Sequence, residues 1–245
     1  MNLVIDIGNT RAKMAVFEDG KILSYAAFED FGIDDIREMT GDVSDVFCIL
    51  SAVKKTDPAI LEFLRSRFHL LVLNHKTPIP IKNHYDTPRT LGKDRIAAAV
   101  AAGRMLPGRN ILVIDAGTAI TYDLVISGNV FSGGGISPGI TMRFMALKKF
   151  TGNLPLISDI SIAPLTGKNT PDSIRSGVLQ GVVCEMEGII RLYRLKYPDI
   201  EVILTGGNHY FFDKQLKIKT FAVPNLVLEG LNIILDYNIA KNNLL

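Results

Sequence analysis

Two aspartates, Asp6 and Asp115, occupy the same place in a phrase that the chain contains twice. Val4-Ile5-Asp6-Ile7-Gly8-Asn9-Thr10 recurs, little altered, as Val113-Ile114-Asp115-Ala116-Gly117-Thr118-Ala119. Each copy is an apolar run ending in Asp, then one residue, then Gly followed by hydroxyl or amide side chains. A tip that presents a carboxylate, bare backbone amides and a hydroxyl suits a phosphate chain and its metal. Asp6 is placed to hold Mg²⁺, directly or through water, because Mg²⁺ takes few carboxylates and completes its shell with phosphate oxygens. The turn Gly8-Asn9-Thr10, with Arg11 or Lys13 nearby, would meet the β- and γ-phosphates, and Thr118 would offer its hydroxyl and amide from the second copy. A third carboxylate, Asp94, lies in Leu91-Gly92-Lys93-Asp94-Arg95, which opens an Ala-rich helix. An Asp there is most often a plain N-cap or first-turn residue. The upstream Tyr85-Asp86-Thr87-Pro88 and the preceding Gly92 favour a second reading, in which Asp94 accepts a hydroxyl proton while Arg95 steadies anionic charge.

The repeat fixes the elements that must hold these residues. Each Asp is followed by a second apolar run and a turn, Asp19-Gly20 in one copy and Ser127-Gly128-Asn129 in the other. Strand, tight turn, strand is the natural reading. The first half reads as strands near 2–7, 11–18 and 21–27, a helix near 33–39, the strand Val46–Leu50, a helix from Asp57 to Arg67, the strand Leu70–Leu73 and a helix from Asp94 to Met105. The second half opens with strands near 110–115, 119–126 and 129–133. Helices near 139–150 and 172–197, the strand Glu201–Thr205, a short helix, a strand near 219–223 and a helix from Asn225 complete it. A strand meander followed by alternating strands and helices implies an α/β fold of two related halves, 1–107 and 108–245, each a mixed sheet flanked by helices. Two such tips facing each other would form a nucleotide clamp. The polar, Pro-containing stretches 74–90 and 151–171 read as the two long loops.

Composition narrows the function classes. At 245 residues with 47% hydrophobic and 21% charged residues, the chain is an ordinary globular protein with ample core. A net charge of +2 and the lack of a basic cluster interleaved with aromatics argue against nucleic-acid binding. The longest apolar runs are strand-length, so neither a signal peptide nor a membrane span is expected. Cys48 and Cys184 read as buried small apolar residues in a reducing cytoplasm. The four histidines, at 69, 75, 84 and 209, share no metal-ligand spacing and suit surface or capping roles.

Duplicated Asp-containing hairpins with following helices resemble the actin, Hsp70 and sugar-kinase superfamily, whose actin-like (ribonuclease H-like) halves enclose a nucleotide cleft. Further motifs bring the chain closer to one family. They run in order from Asp6–Thr10 through Tyr85–Arg95, Asp115–Ala119 and Gly133-Gly134-Gly135-Ile136-Ser137-Pro138-Gly139. Gly167-Lys168-Asn169-Thr170, Leu204-Thr205-Gly206-Gly207 and Glu229-Gly230-Leu231 complete the series. Each is generic alone, but together they resemble the type III pantothenate kinases over essentially the full length.

That resemblance implies ATP-dependent phosphorylation of pantothenate, the first step towards coenzyme A, by a cytoplasmic homodimer. It places the catalytic base on Asp94, and pantothenate contacts on Tyr85, Gly92, Lys93, Asp94, Arg95 and Thr170. ATP contacts fall on Asp6, Ile7, Gly8, Asn9, Thr10, Arg11, Ala12, Lys13 and Thr118. A monovalent cation, K⁺ or NH₄⁺, falls to Asp115, and the loop around Thr170 closes the partner's substrate pocket. Apolar positions of the long helix, such as Val178, Val182, Ile189 and Leu192, suit either that dimer or the core of the domain. Two positions depart from the family pattern: Ala98 stands where many members have Asn, and Lys93 replaces a small residue. Two alternatives stand beside this reading, another small-molecule kinase acting on a sugar, and a non-catalytic transcriptional accessory factor.

Overall fold

The structure is a computed structural model, and it describes residues 1–41, 43, 45–162 and 164–241. The first sheet has the order β3-β2-β1-β4-β5, with β1 Asn2–Ile7, β2 Ala12–Glu18, β3 Lys21–Phe28, β4 Phe47–Ala52 and β5 His69–Val72. β1 runs antiparallel to β2 and parallel to β4, so the sheet is mixed as the meander implied. Side chains alternate across a strand. Leu3, Ile5 and Ile7 form one buried cluster with Ile36 of α1 (Ile33–Thr40) and Ile60 and Leu64 of α2 (Pro58–Arg67). Asp57 caps α2 by accepting from Ala59 N at 2.8 Å, with Pro58 just inside the helix. The alternation puts Val4 and Asp6 on the opposite face.

Two helices meet closely near that opposite face, α3 (Lys93–Met105) and α7 (Leu226–Ala240). α3 buries Ala97, Ala98, Ala99, Ala101 and Ala102 almost completely, and small side chains let helix axes approach. At Gly230 of α7 a Cβ would lie 1.8 Å from the Ala97 carbonyl oxygen, so any larger residue would push the helices apart.

The second sheet has the order β11-β10-β7-β8-β9-β6, with β6 Lys82–Asn83, β7 Ile111–Ala116, β8 Ala119–Ile126, β9 Val130–Pro138, β10 Glu201–Thr205 and β11 Phe221–Ala222. The helices α4 (Ile140–Phe150), α5 (Thr170–Lys196) and α6 (His209–Gln215) belong to this part of the chain. β9 continues through Gly133-Gly134-Gly135 to Pro138, beyond its expected end. The stretch 74–90 also holds more order than a loop, with β6 pairing to β9 and a short 3₁₀ turn at Pro88–Thr90.

Contacts divide the chain into two compact units. One comprises Met1–Gly108, Leu124–Gly133 and the chain from Asn225 onward, and the other comprises Arg109–Asp123 and Gly134–Pro224. The break after Gly108 lies beside the expected 107/108 boundary, but two later segments group with the first unit. The Leu124–Gly133 tip does so because Lys82 N donates to Asn129 O at 2.8 Å and His84 N to Phe131 O at 2.9 Å. The last helix does so because α7 packs on α3 and β1.

The apolar positions of α5 divide: Val178 and Val182 are buried within their own unit, while Leu192 is exposed. One further expectation is corrected. Cys184 is exposed rather than buried, because it lies on the opposite side of α5 from the buried Val182 and Met186; Cys48 is buried as expected.

Candidate active site

The first unit gathers most of the residues singled out in the sequence. Asp6 is the penultimate residue of β1, in register with Lys13 of β2 and with Ser51 of β4. It is only 9% exposed. Neither Asp6 Oδ1 nor Ser51 Oγ completes a hydrogen bond, although the serine lies close enough to favour the ionised carboxylate. Burial above all, with the nearby charge of Asp94, pushes the Asp6 carboxyl up to about 6; Ser51, Lys13 and Lys93 oppose that rise. Leaving a buried carboxylate oxygen unpartnered costs stability, and such a group is a candidate ligand for something that arrives later. Ser51 was not visible in the sequence, because only the parallel register of β1 and β4 brings it there.

The turn after Asp6 is closed by Gly8 N donating to Arg11 O at 3.0 Å. Asn9, Thr10 and Arg11 are exposed at its tip. Ile7 and Ala12 point their side chains into the core at 3% exposure each, so only their main chain is available to a ligand.

At the start of α3 the N-cap position belongs to Gly92, without a side-chain cap. Asp94 therefore stands in the first turn, where its Oδ1 accepts from Arg95 N at 2.9 Å. Lys93 Nζ donates to Ala52 O at 2.8 Å, joining the helix start to the end of β4. Arg95 is buried, and its guanidinium lies 5.6 Å from the Tyr85 ring centroid and 5.8 Å from that of Phe131. Those distances are in the range of cation–π contacts. Asp6, Lys13, Lys93 and Asp94 are thus electrostatic neighbours, with Tyr85 against Arg95 beside them.

The second unit holds the other copy. Asp115 is again the penultimate residue of its strand, and its parallel neighbour is again a hydroxyl residue, Thr205 of β10. The chain then differs. Gly206 follows in the left-handed region (φ +91°), and a Cβ there would lie 2.3 Å from Asp115 Oδ1. His209, buried rather than on the surface, fixes this turn through an Nδ1 contact of 2.6 Å with Gly206 O. Asn208 N donates to Ala116 O at 3.0 Å. Thr118 is exposed at the tip, where Gly117 N donates to Ala119 O at 3.1 Å.

Thr170 is the exposed first residue of α5, whose N-cap Asn169 accepts from Asp172 N at 2.8 Å. It lines a groove of about 1040 Å³ with Arg143, Phe150, Lys168, Ile174 and Val178. Arg175 pairs with Asp172 and, at 2.5 Å, with Asp159, fastening the 151–171 segment to the helix.

Two Asp-x-Gly hairpins, each on a mixed sheet flanked by helices, define the actin-like α/β fold. Solved structures agree on that fold. A Campylobacter jejuni protein described as a Baf family transcriptional activator superposes with a TM-score of 0.55 at 24% identity, covering 97% of this chain and 99% of that one. A Listeria monocytogenes protein described as an N-acetylmannosamine kinase gives 0.52 at 14% identity, covering 97% and 99%.

The chain belongs to the type III pantothenate kinase family, whose model matches residues 2–192. The type III pantothenate kinase of Phocaeicola vulgatus is 43% identical over 239 residues, 97% of this chain and 99% of that protein. That of Cytophaga hutchinsonii is 44% identical over 240 residues, 98% and 100% of the two chains.

Proposed function

We propose that this chain transfers the γ-phosphoryl group of ATP to the primary hydroxyl of pantothenate, giving 4′-phosphopantothenate and ADP, the first step towards coenzyme A. The observation that carries the chemistry is the unpartnered, buried Asp6 oxygen beside Asp94, Lys13 and Lys93. Two carboxylates close together in a partly dry site repel each other unless cations join them. Mg²⁺ fits this set: Asp6 would hold it, and when bound it neutralises charge on the β- and γ-phosphate oxygens. Lys13 and the exposed Asn9-Thr10-Arg11 tip orient the phosphates. Asp94, held in the first turn of α3, accepts the proton of the acceptor hydroxyl, and Lys93, Arg95 and Tyr85 shape the surroundings of that hydroxyl. Phosphoryl transfer has a loose transition state, so positioning and charge neutralisation supply most of the acceleration.

In the second unit Thr118 takes the ATP contact, and Asp115 holds a monovalent cation, K⁺ or NH₄⁺. The active form is a cytoplasmic homodimer in which Thr170 serves the neighbouring subunit's pocket. Support for the dimer comes from exposed apolar side chains on α4 and the following segment: Met145 (57%), Phe150 (79%), Ile162 (68%) and Leu165 (81%). Side chains of this size and character are what a subunit interface would cover. Among the described residues no helix is long and apolar enough to cross a membrane.

An ADP-release assay over pantothenate, sugars and no acceptor, each with and without potassium, tests this reading. Release that depends on pantothenate is the expected result. Release with a sugar alone would make the chain a sugar kinase, and no release with any acceptor would favour an accessory role. Family membership favours neither alternative.

A further inference from the structure

Thr118 and Gly117 lie at an exposed turn, so their position must be set from behind. The segment directly behind them is Pro138-Gly139, at the junction of β9 and α4. Gly139 N donates to Thr118 O at 3.2 Å. The approach is so close that a Cβ on Gly139 would lie 2.3 Å from Thr118 O and 2.6 Å from Gly117 O. That junction is in turn gripped by one side chain. Arg143, one helical turn later, donates through Nε to Pro138 O at 2.8 Å and through its second terminal nitrogen to Ser137 Oγ at 2.9 Å. The same nitrogen reaches Glu185 of α5 at 2.6 Å, and the other Glu185 oxygen accepts from the hydroxyl of Tyr122 at 2.8 Å.

Tyr122 is only 2% exposed and belongs to β8, the strand that leaves the Thr118 turn. The chain of contacts therefore closes on itself: turn, junction, Arg143, Glu185, Tyr122 and back along β8. The bonds made by Arg143 and Glu185 are charge-assisted and partly shielded from water, so they hold the residues they join in place. Although burial works the other way, Arg143, Ser137 and Tyr122 together hold the Glu185 carboxyl below its ordinary range, so the bridge stays ionised through neutral pH.

We propose that Arg143, Glu185 and Tyr122 are positioning residues that set the Gly117-Thr118 turn for the nucleotide. This inference rests on the reading of Thr118 as an ATP contact. It assigns a kinetic role to three side chains that touch no reacting atom. Glu185 is the position to test, because Arg143 also lines the Thr170 groove and Glu185 does not.

The experiment compares Glu185→Ala, Glu185→Gln, Thr118→Ala and the Glu185→Ala/Thr118→Ala double variant. Amide exchange over residues 116–119 is followed alongside steady-state kinetics. Glu185→Ala should raise the KM for ATP about 5- to 20-fold, the scale of a lost charge-assisted hydrogen bond, while kcat and the KM for pantothenate move less than about twofold. Exchange at the turn should quicken, Glu185→Gln, which keeps shape and hydrogen bonding but not the charge, should restore part of both, and the double variant should bind ATP no worse than the poorer single. An equal rise in both KM values, full multiplication of the two effects, or unchanged exchange at the turn overturns the brace. If Thr118→Ala leaves the KM for ATP untouched, the nucleotide role of Thr118 falls instead, and the exchange result still decides the brace. Should Glu185→Ala fail to fold, Tyr122→Phe supplies the same measurements, with a smaller rise expected.

Discussion

The two Asp-x-Gly hairpins share a plan and differ in one place. In both, the Asp is penultimate in its strand and faces a hydroxyl residue on the parallel neighbour, Ser51 for Asp6 and Thr205 for Asp115. In both, the chain beyond that hydroxyl bonds back to the hairpin, Val53 N to Ile7 O and Asn208 N to Ala116 O, each at 3.0 Å. The first copy makes that return in two residues from its hydroxyl, and the second needs three. The extra residue lies in Gly206-Gly207, and it brings main chain hard against Asp115. Asp6 instead keeps an oxygen without a hydrogen bond. Duplication thus supplied two equivalent carboxylates, and one added residue in a neighbouring turn was enough to give them different surroundings.

The largest effect should come from a carboxylate outside both hairpins. Asp94→Asn is expected to lower turnover by roughly 10² to 10⁴ if the group is a general base. The fold should survive, because Gly92 rather than Asp94 occupies the N-cap of α3. Near-normal turnover in the purified variant would return Asp94 to a purely structural first-turn role.

Asp6→Asn should separate function from stability. Turnover with Mg-ATP is expected to fall by at least about 10², since a positioned charge is lost. The folded carboxyl titrates near 6 against an ordinary 3.8, so the folded state binds the proton more tightly. Its contribution to stability is therefore fully present below about pH 4 and is lost as pH rises through 6. At pH 7 the ionised group costs up to about 3 kcal/mol. Denaturant titrations should show the Asn variant more stable than the parent at pH 7 and less dependent on pH between 4 and 7. A variant less stable than the parent at pH 7 would mean that the carboxylate is already compensated in the ligand-free protein.

Asp115→Ala probes the crowded copy. Activity should rise when potassium replaces sodium, and this substitution should erase the difference. Equal sodium and potassium rates in the unaltered chain would remove the monovalent cation from Asp115.

The smallest pair tests the extra turn itself. Gly206→Ala places a Cβ against Asp115 at a left-handed position, and a loss of about 1–3 kcal/mol is expected. Ala52→Gly, the position after Ser51 in the first copy, should cost only about 0.5–1 kcal/mol. Equal losses by thermal unfolding would show that the two turns are not used differently.

What the sequence revealed followed the range of the interaction. The hairpins, the α3 start and most strands are local features, and the structure has them within a few residues of their expected ends. Ser51 beside Asp6 depends on pairing strands more than 40 residues apart, and nothing in Ile49-Leu50-Ser51 announces it. Burial of His209 depends on the Gly206 carbonyl it meets, and exposure of Cys184 on which side of α5 the core takes. The largest departure, the grouping of α7 with the first unit, comes from close packing at Gly230 that no local pattern encodes.

That packing has a consequence for biosynthesis. Domains generally fold as units, N-terminal first, while the chain is still being made. Here the first unit cannot be completed early, because its α3 surface waits for a helix that leaves the ribosome after the entire second unit. Until then a ridge of buried alanines stays uncovered, and a chain halted before Leu226 would lack the support behind Asp94. Only a chain translated through α7 therefore completes the unit that carries Asp6 and Asp94.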